Sequence, residues 1–86
     1  MASIGKLLRF ADAMALLDDI AAANRDVYGA DGFRTHPDGE REASLDLVLD
    51  VSGAMDRGSA GERIEKVRTF LIEHQASDIA WEIWAP

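Results

Sequence analysis

Ser52, His36 and His74 are the side chains of this chain with the clearest capacity for nucleophilic or acid–base chemistry. A hydrolase serine lies in a Gly-x-Ser-x-Gly turn, but here Asp50 stands where the first glycine would be. His36 falls in a turn rich in carboxylates, and His74 falls near the end of a predicted helix, where a positive charge is favourable. No pair of carboxylates is spaced as an acid–base couple. We therefore predict that the protein is not an enzyme and binds no cofactor and no metal.

Gly53, Gly58 and Gly61 precede a predicted helix, and such glycines can cradle phosphate groups. A phosphate-binding loop of the Walker type continues Gly-Lys-Ser/Thr. In this chain Gly58 is followed by Ser59. The pattern therefore predicts no nucleotide site.

The strand that ends at Asp50 continues into Val51-Ser52-Gly53-Ala54. This stretch resembles the metal-binding loop of von Willebrand factor A domains, in which a strand ends in Asp-x-Ser-x-Ser and the side chains help to hold Mg²⁺. Asp50 and Ser52 match that pattern, but Ala54 supplies no oxygen at the third position. Because Mg²⁺ requires several oxygen ligands, we predict no magnesium site here.

Length and charge limit the classes of function. With 86 residues the chain is expected to form a single domain over residues 1–86. Sixteen acidic against nine basic residues give a formal charge of −7. That balance argues against direct binding of nucleic acid, which needs clustered Lys and Arg. It suits a partner protein with a basic surface.

The compartment is predicted from three absences in the sequence. The chain has no cysteine, which excludes disulfides and thiolate metal sites. No apolar stretch approaches the ~20 residues of a membrane span, and the first residues do not read as a signal peptide. We therefore expect a cytoplasmic protein with no membrane partner.

Two segments alternate with the period of two that marks a strand with one buried face. In the first, the residues expected to point inward are Leu45, Leu47, Leu49 and Val51, and those expected outward are Ser44, Asp46, Val48 and Asp50. In the second, about Asp78 to Trp84, the inward set is Ile79, Trp81 and Ile83, and the outward set is Glu82 and Trp84.

Two helices are predicted from apolar spacing. The first spans Asp12 to about Asn24, with Asp12 as N-cap and an end near Tyr28-Gly29. The second begins at a capping box formed by Ser59 and Glu62. Its inner stripe consists of Ile64, Val67 and Leu71.

The remaining segments complete the order of elements. Asp31-Gly32 and Pro37-Asp38-Gly39 are turn signals, and a short strand over Phe33–Thr35 is expected to pair with a strand that begins near Arg41. Residues 4–10 fit either a short strand or a backward extension of the first helix. The first alternative gives a βαββαβ order, as in ferredoxin-like folds, and the second gives αββαβ. Both are α+β two-layer sandwiches, with an antiparallel or mixed sheet and two helices on one face.

The outward residues of the two alternating strands make an acidic surface with an apolar centre. The candidate partner-binding residues are Asp46, Val48, Asp50, Glu82 and Trp84. Carboxylates would steer a basic partner and the indole would supply desolvated area. The leading hypothesis is a small acidic inhibitor or regulator that docks on a basic, nucleic-acid-binding surface, as phage-encoded anti-CRISPR proteins, immunity proteins and antitoxins do. The alternatives are a ferredoxin-like homodimer that binds a small ligand or acts as a small enzyme, and a face that pairs with itself.

Overall fold

The fold combines one antiparallel sheet with two helices, in a computed structural model that describes residues 2–3, 7–54 and 58–86. The radius of gyration of the chain is 12.4 Å, as expected for one domain of this length. In chain order, the elements are β1 (Ala2–Ser3), α1 (Phe10–Ala22), β2 (Gly29–Thr35), β3 (Arg41–Asp50), a 3-10 turn (Ser52–Ala54), α2 (Ala60–His74) and β4 (Ile79–Ala85). The α+β class predicted from the sequence is confirmed.

The strands lie in the order β1-β4-β2-β3, and every neighbouring pair is antiparallel. This is not the ferredoxin-like order, in which the first strand lies inside the sheet, so that prediction was wrong. Here β1 pairs through only two residues at the edge of β4. The interior positions are taken by β2 and β4, which pair along most of their length. The prediction therefore failed on topology, because a two-residue strand contributes too few hydrogen bonds to hold an interior position.

Both helices pack on the same face of the sheet and share one core. Trp81 is fully buried at the centre, with the ring of Phe70 set edge-on against it at 5.9 Å between centroids. The predicted inward sets of α2 and β4 are all buried. The core consists of Ala13, Leu17 and Ile20 from α1, Ile64, Val67 and Leu71 from α2, Ala30, Leu47, Ile79, Trp81 and Ile83 from the sheet, and Val27 and Val51 from the segments that follow α1 and β3.

Helix α1 differs from its prediction at both ends. It begins at Phe10 after Arg9, which caps it without a side-chain hydrogen bond, and Asp12 lies in its first turn. A carboxylate in the first turn interacts favourably with the positive end of the helix dipole, as an N-cap carboxylate also does. This shared preference explains why the sequence suggested Asp12 as the N-cap. The helix ends at Ala22, and the chain turns through Asn24 at φ 55°.

The segment before α1 is strand-like where the structure describes it. Leu8 forms an antiparallel bridge with Trp81, and each backbone N–H donates to the other's carbonyl at 2.7 Å. Residues 4–6, on which the choice between strand and helix also depended, lie outside the described residues. Helix α1 therefore extends back only to Phe10, and the bridge at Leu8 precedes it.

Helix α2 begins as predicted. The Ser59 side chain accepts a hydrogen bond from the Glu62 amide at 3.2 Å. The helix ends at His74, whose Nδ1 lies 2.9 Å from the carbonyl oxygen of Phe70. Ser59 as the N-cap and the place of His74 near the helix end are both confirmed, whereas the described residues show no reciprocal hydrogen bond from the Ser59 amide to the Glu62 side chain.

Strands β2 and β3 form the expected hairpin, but β2 is longer than predicted. The turn at Pro37-Asp38-Gly39 is confirmed, with Gly39 at φ 88°. Asp31-Gly32, predicted as a turn, lies inside β2. A Cβ on Gly32 would lie 2.9 Å from atoms of both Leu47 and Trp81. Gly32 is therefore a packing residue, which makes room for two large side chains.

An irregularity in β3 breaks the predicted alternation. Asp31 pairs with Val48, and Phe33 pairs with Ala43. Residues 44–47 of β3 therefore lie opposite a single residue of β2, Gly32. Extra residues on one strand bend it and re-aim its side chains. Leu45 was predicted to point inward and is 94% exposed, so that prediction was wrong. Leu47 and Val51 are buried as expected, and Leu49 packs half-buried against the core.

Candidate functional site

The sheet face opposite the helices brings most of the predicted partner-binding residues together. Across β4, β2 and β3, one row of paired residues is Trp84, Gly29 and Asp50. The next row is Glu82, Asp31 and Val48. We call this surface the acidic face and define it as Asp31, Val48, Asp50, Glu82 and Trp84.

Trp84 is fixed on the acidic face by a hydrogen bond. Its indole Nε1 donates to Oδ2 of Asp31 at 2.7 Å. The two residues are diagonal neighbours, because the residue directly opposite Trp84 is Gly29. The hydrogen bond holds the half-buried indole towards Asp31.

Asp50 is also held in place, by the turn that follows β3. Its Oδ1 accepts hydrogen bonds from the Ser52 hydroxyl at 2.5 Å and from the Ser52 amide at 2.8 Å. These hydrogen bonds, the hydroxyl one first, lower the pKa of the Asp50 carboxyl below its ordinary value. The side chain therefore remains a fixed negative charge at neutral pH, and the Ser52 hydroxyl is engaged as its hydrogen-bond donor.

Asp46 occupies a different position from the other predicted residues. It falls in the irregular part of β3, where its carboxylate accepts a hydrogen bond from the Ser44 hydroxyl and pairs with Arg34 at 3.3 Å. The Ser44 hydrogen bond and the Arg34 partner lower the pKa of Asp46. Its charge is balanced within the fold, so Asp46 is not part of the acidic face as defined above.

The three carboxylates of the acidic face lie close together without an ion pair among the described residues. Among the described residues, no ion pair forms at Asp31, Asp50 or Glu82, whereas described arginines pair with four other carboxylates on the chain. Like charges on one face add to a negative local field. That field surrounds two apolar groups, the half-buried Trp84 and Val48, which is 44% exposed.

A shallow cavity marks one end of the acidic face. Its volume is about 190 Å³, and most of the residues of the acidic face line it. The lining residues are Tyr28, Gly29, Asp31, Val48, Leu49, Asp50 and Trp84. The cavity therefore combines an indole wall with two fixed carboxylates.

The other chemical candidates remain apart from one another. His36 lies in the hairpin turn with Nε2 at 3.1 Å from a carboxylate oxygen of Glu42, and both side chains are exposed. His74 stacks on Phe70 at 4.3 Å between ring centroids. Among the described residues, no three His, Cys, Asp or Glu side chains are grouped to hold a metal ion. Those same residues include no helix long and apolar enough to span a bilayer.

Sequence reasoning missed Asp31, which lies at the centre of the acidic face. The Asp-Gly pair was interpreted as a turn, as it often is. In the structure Ala30 and Gly32 are buried and alternate with Asp31 and Phe33, which are half-buried. Glycine in a strand also indicates close approach of neighbouring groups, and here those groups are Leu47 and Trp81.

Fold and site together define a small α+β domain with one helix-covered and one acidic sheet face. Comparison of the chain with models of protein families, with curated proteins and with solved structures gives no match.

Proposed function

We propose that this protein is a non-enzymatic binding module whose acidic face docks on a basic surface of a partner protein. The observation that carries the proposal is a set of three carboxylates, arranged around Trp84 and Val48, for which the described part of the chain supplies no ion-pair partner. Charge complementarity speeds encounter, and a central tryptophan supplies contact area that is lost from water.

The outcome of docking would be inhibition or regulation of the partner. A basic surface in a cell commonly serves to bind nucleic acid, and an acidic protein that covers it competes with the phosphate backbone. This is the mode suggested by analogy with anti-CRISPR proteins, immunity proteins and antitoxins. The small-ligand alternative depended on a ferredoxin-like subunit, and the sheet does not have that strand order.

A charge-reversal pair tests the proposal. The Asp31→Lys/Glu82→Lys variant should associate with the partner at least about ten-fold more slowly, because electrostatic steering is reversed. The matched control is Asp19→Lys/Glu73→Lys, which changes charge equally at exposed positions on α1 and α2. Circular dichroism first establishes that both variants fold.

The measurement is affinity capture from a lysate, followed by association kinetics with the purified protein that is recovered. The proposal is supported if a basic protein binds both the wild type and the control and associates with Asp31→Lys/Glu82→Lys at least about ten-fold more slowly. Its affinity for the wild type should also fall as salt is added. Equal association of the face variant and the control would overturn the proposal. Recovery of the protein only with copies of itself would also overturn it, in favour of a self-pairing face.

A further inference from the structure

We infer that the acidic face recognises an arginine side chain of its partner, in preference to lysine, in the cavity between Trp84, Asp31 and Asp50. This inference rests on the proposed function and specifies the chemistry of its central contact. Three features of the cavity carry it, namely the free oxygens of the two carboxylates, their spacing, and the aromatic wall beside them.

Each carboxylate in the cavity is held by one oxygen and presents the other. Asp31 accepts the indole N–H through Oδ2, and Asp50 accepts both Ser52 hydrogen bonds through Oδ1. Among the described residues, Oδ1 of Asp31 and Oδ2 of Asp50 accept no hydrogen bond. Two acceptors are thus available whose orientation is already fixed, which reduces the entropy lost when a donor binds.

The spacing of the two carboxylates suits a donor with several N–H groups. Asp31 pairs with Val48 and Asp50 pairs with Gly29, so the two aspartates are diagonal neighbours on adjacent strands. Diagonal neighbours lie roughly 7–8 Å apart and are within reach of long side chains. A guanidinium carries five N–H donors in a rigid plane and can bind two carboxylates at once, whereas an ammonium is a compact, strongly hydrated charge.

The indole wall adds a second basis for discrimination. Trp84 lines the cavity beside both carboxylates, and its ring is anchored by Asp31. A guanidinium stacks on an aromatic face while its edges donate hydrogen bonds. A lysine head group gains less from that wall, because it must shed tightly bound water to approach the ring. The cavity of about 190 Å³ admits one such side chain.

The test compares two fluorescent peptides of equal length and charge, one rich in arginine and one rich in lysine. Fluorescence anisotropy at moderate salt gives the dissociation constant of each. For the wild-type protein we expect the arginine peptide to bind about five-fold more tightly. Trp84→Leu, which leaves the charge unchanged, should reduce that ratio to near one while lysine-peptide binding persists. Asp31→Asn should also reduce the ratio, and it guards against a Trp84 variant that fails to fold.

Glu73→Gln on α2 is the control, because it removes one negative charge away from the acidic face. It should keep the full preference for arginine. Equal binding of the two peptides to the wild-type protein would overturn this inference and leave the proposed docking intact. Binding of neither peptide would count against both. A preference that survives in Trp84→Leu and in Asp31→Asn would show that the arginine contact lies elsewhere, and would overturn the assignment to this cavity.

Discussion

A Gly29→Ala variant is expected to lose at least about 3 kcal/mol of unfolding free energy, the upper end of typical overpacking costs. A Cβ placed on Gly29 would lie 2.1 Å from the carbonyl oxygen of Leu49 on the neighbouring strand. That atom is backbone, so relief requires β2 and β3 to separate where they pair. For a domain whose total stability is on the order of 5–15 kcal/mol, the loss is large. Urea denaturation followed by circular dichroism measures it.

Gly53→Ala provides the matched control for Gly29→Ala. Apart from its chain neighbours, no atom of the described residues lies within 4 Å of a Cβ built on Gly53, and the residue is exposed. Its denaturation midpoint should stay close to that of wild type, within about 0.5 kcal/mol. Equal denaturation midpoints for the two alanine variants would show that the close approach of Gly29 to the Leu49 carbonyl does not determine the stability of the sheet.

The second large effect is expected at the ion pair between Arg63 and Asp26. Arg63 is only 7% exposed. Its Nε and Nη2 donate to the two carboxylate oxygens of Asp26 at 2.9 and 2.7 Å, and Nη1 donates to the Gly58 carbonyl at 3.3 Å. The pair joins the loop after α1 to helix α2. Removal of one member leaves the other charge poorly solvated, which is more harmful than loss of the whole pair.

We therefore expect Arg63→Met to lower the Tm by roughly 10 °C or more, given the sensitivity of a domain of this size. The double variant Arg63→Met/Asp26→Leu should recover part of the loss, because no unpaired charge remains. Arg25→Met, at an exposed arginine, is the control. Differential scanning calorimetry of the four proteins gives the comparison. A Tm for Arg63→Met equal to that of the control would contradict the account.

The same pair predicts a pH dependence. The Arg63 hydrogen bonds lower the pKa of Asp26 below its ordinary value. Because the folded pKa is depressed, the stabilisation is fully present above the unfolded aspartate value of about 3.9 and is lost as the pH falls through the folded value. The Tm difference between wild type and Asp26→Asn should therefore be largest near neutral pH and narrow below about pH 4.

The elements predicted correctly from the sequence are those whose structure depends on nearby residues. The Ser59 cap and the turn at Pro37-Asp38-Gly39 follow from local hydrogen-bonding and backbone preferences, and the inward set of β4 follows from its alternation. Each of these signals needs only the nearby residues. For that reason the two-layer arrangement and most of the core were predictable.

The errors arose where a distant residue decides the local structure. Gly32 lies in a strand and not at a turn, and it is glycine because Leu47 and Trp81 occupy the space that a side chain would fill. Leu45 is exposed because β3 is irregular opposite that glycine. The candidate site changed for the same reason, since the irregularity places Asp46 beside Arg34 and the longer β2 brings Asp31 beside Trp84.

The most direct test of docking through the acidic face is the indole resonance of Trp84 in a ¹H–¹⁵N spectrum. The chain has two tryptophans, and a Trp84→Phe spectrum identifies which indole signal belongs to which. On addition of the basic protein recovered by capture, the Trp84 indole signal should shift or broaden, while that of the buried Trp81 stays in place. An unchanged Trp84 signal, with shifts confined to amides of α1 and α2, would contradict docking through this face.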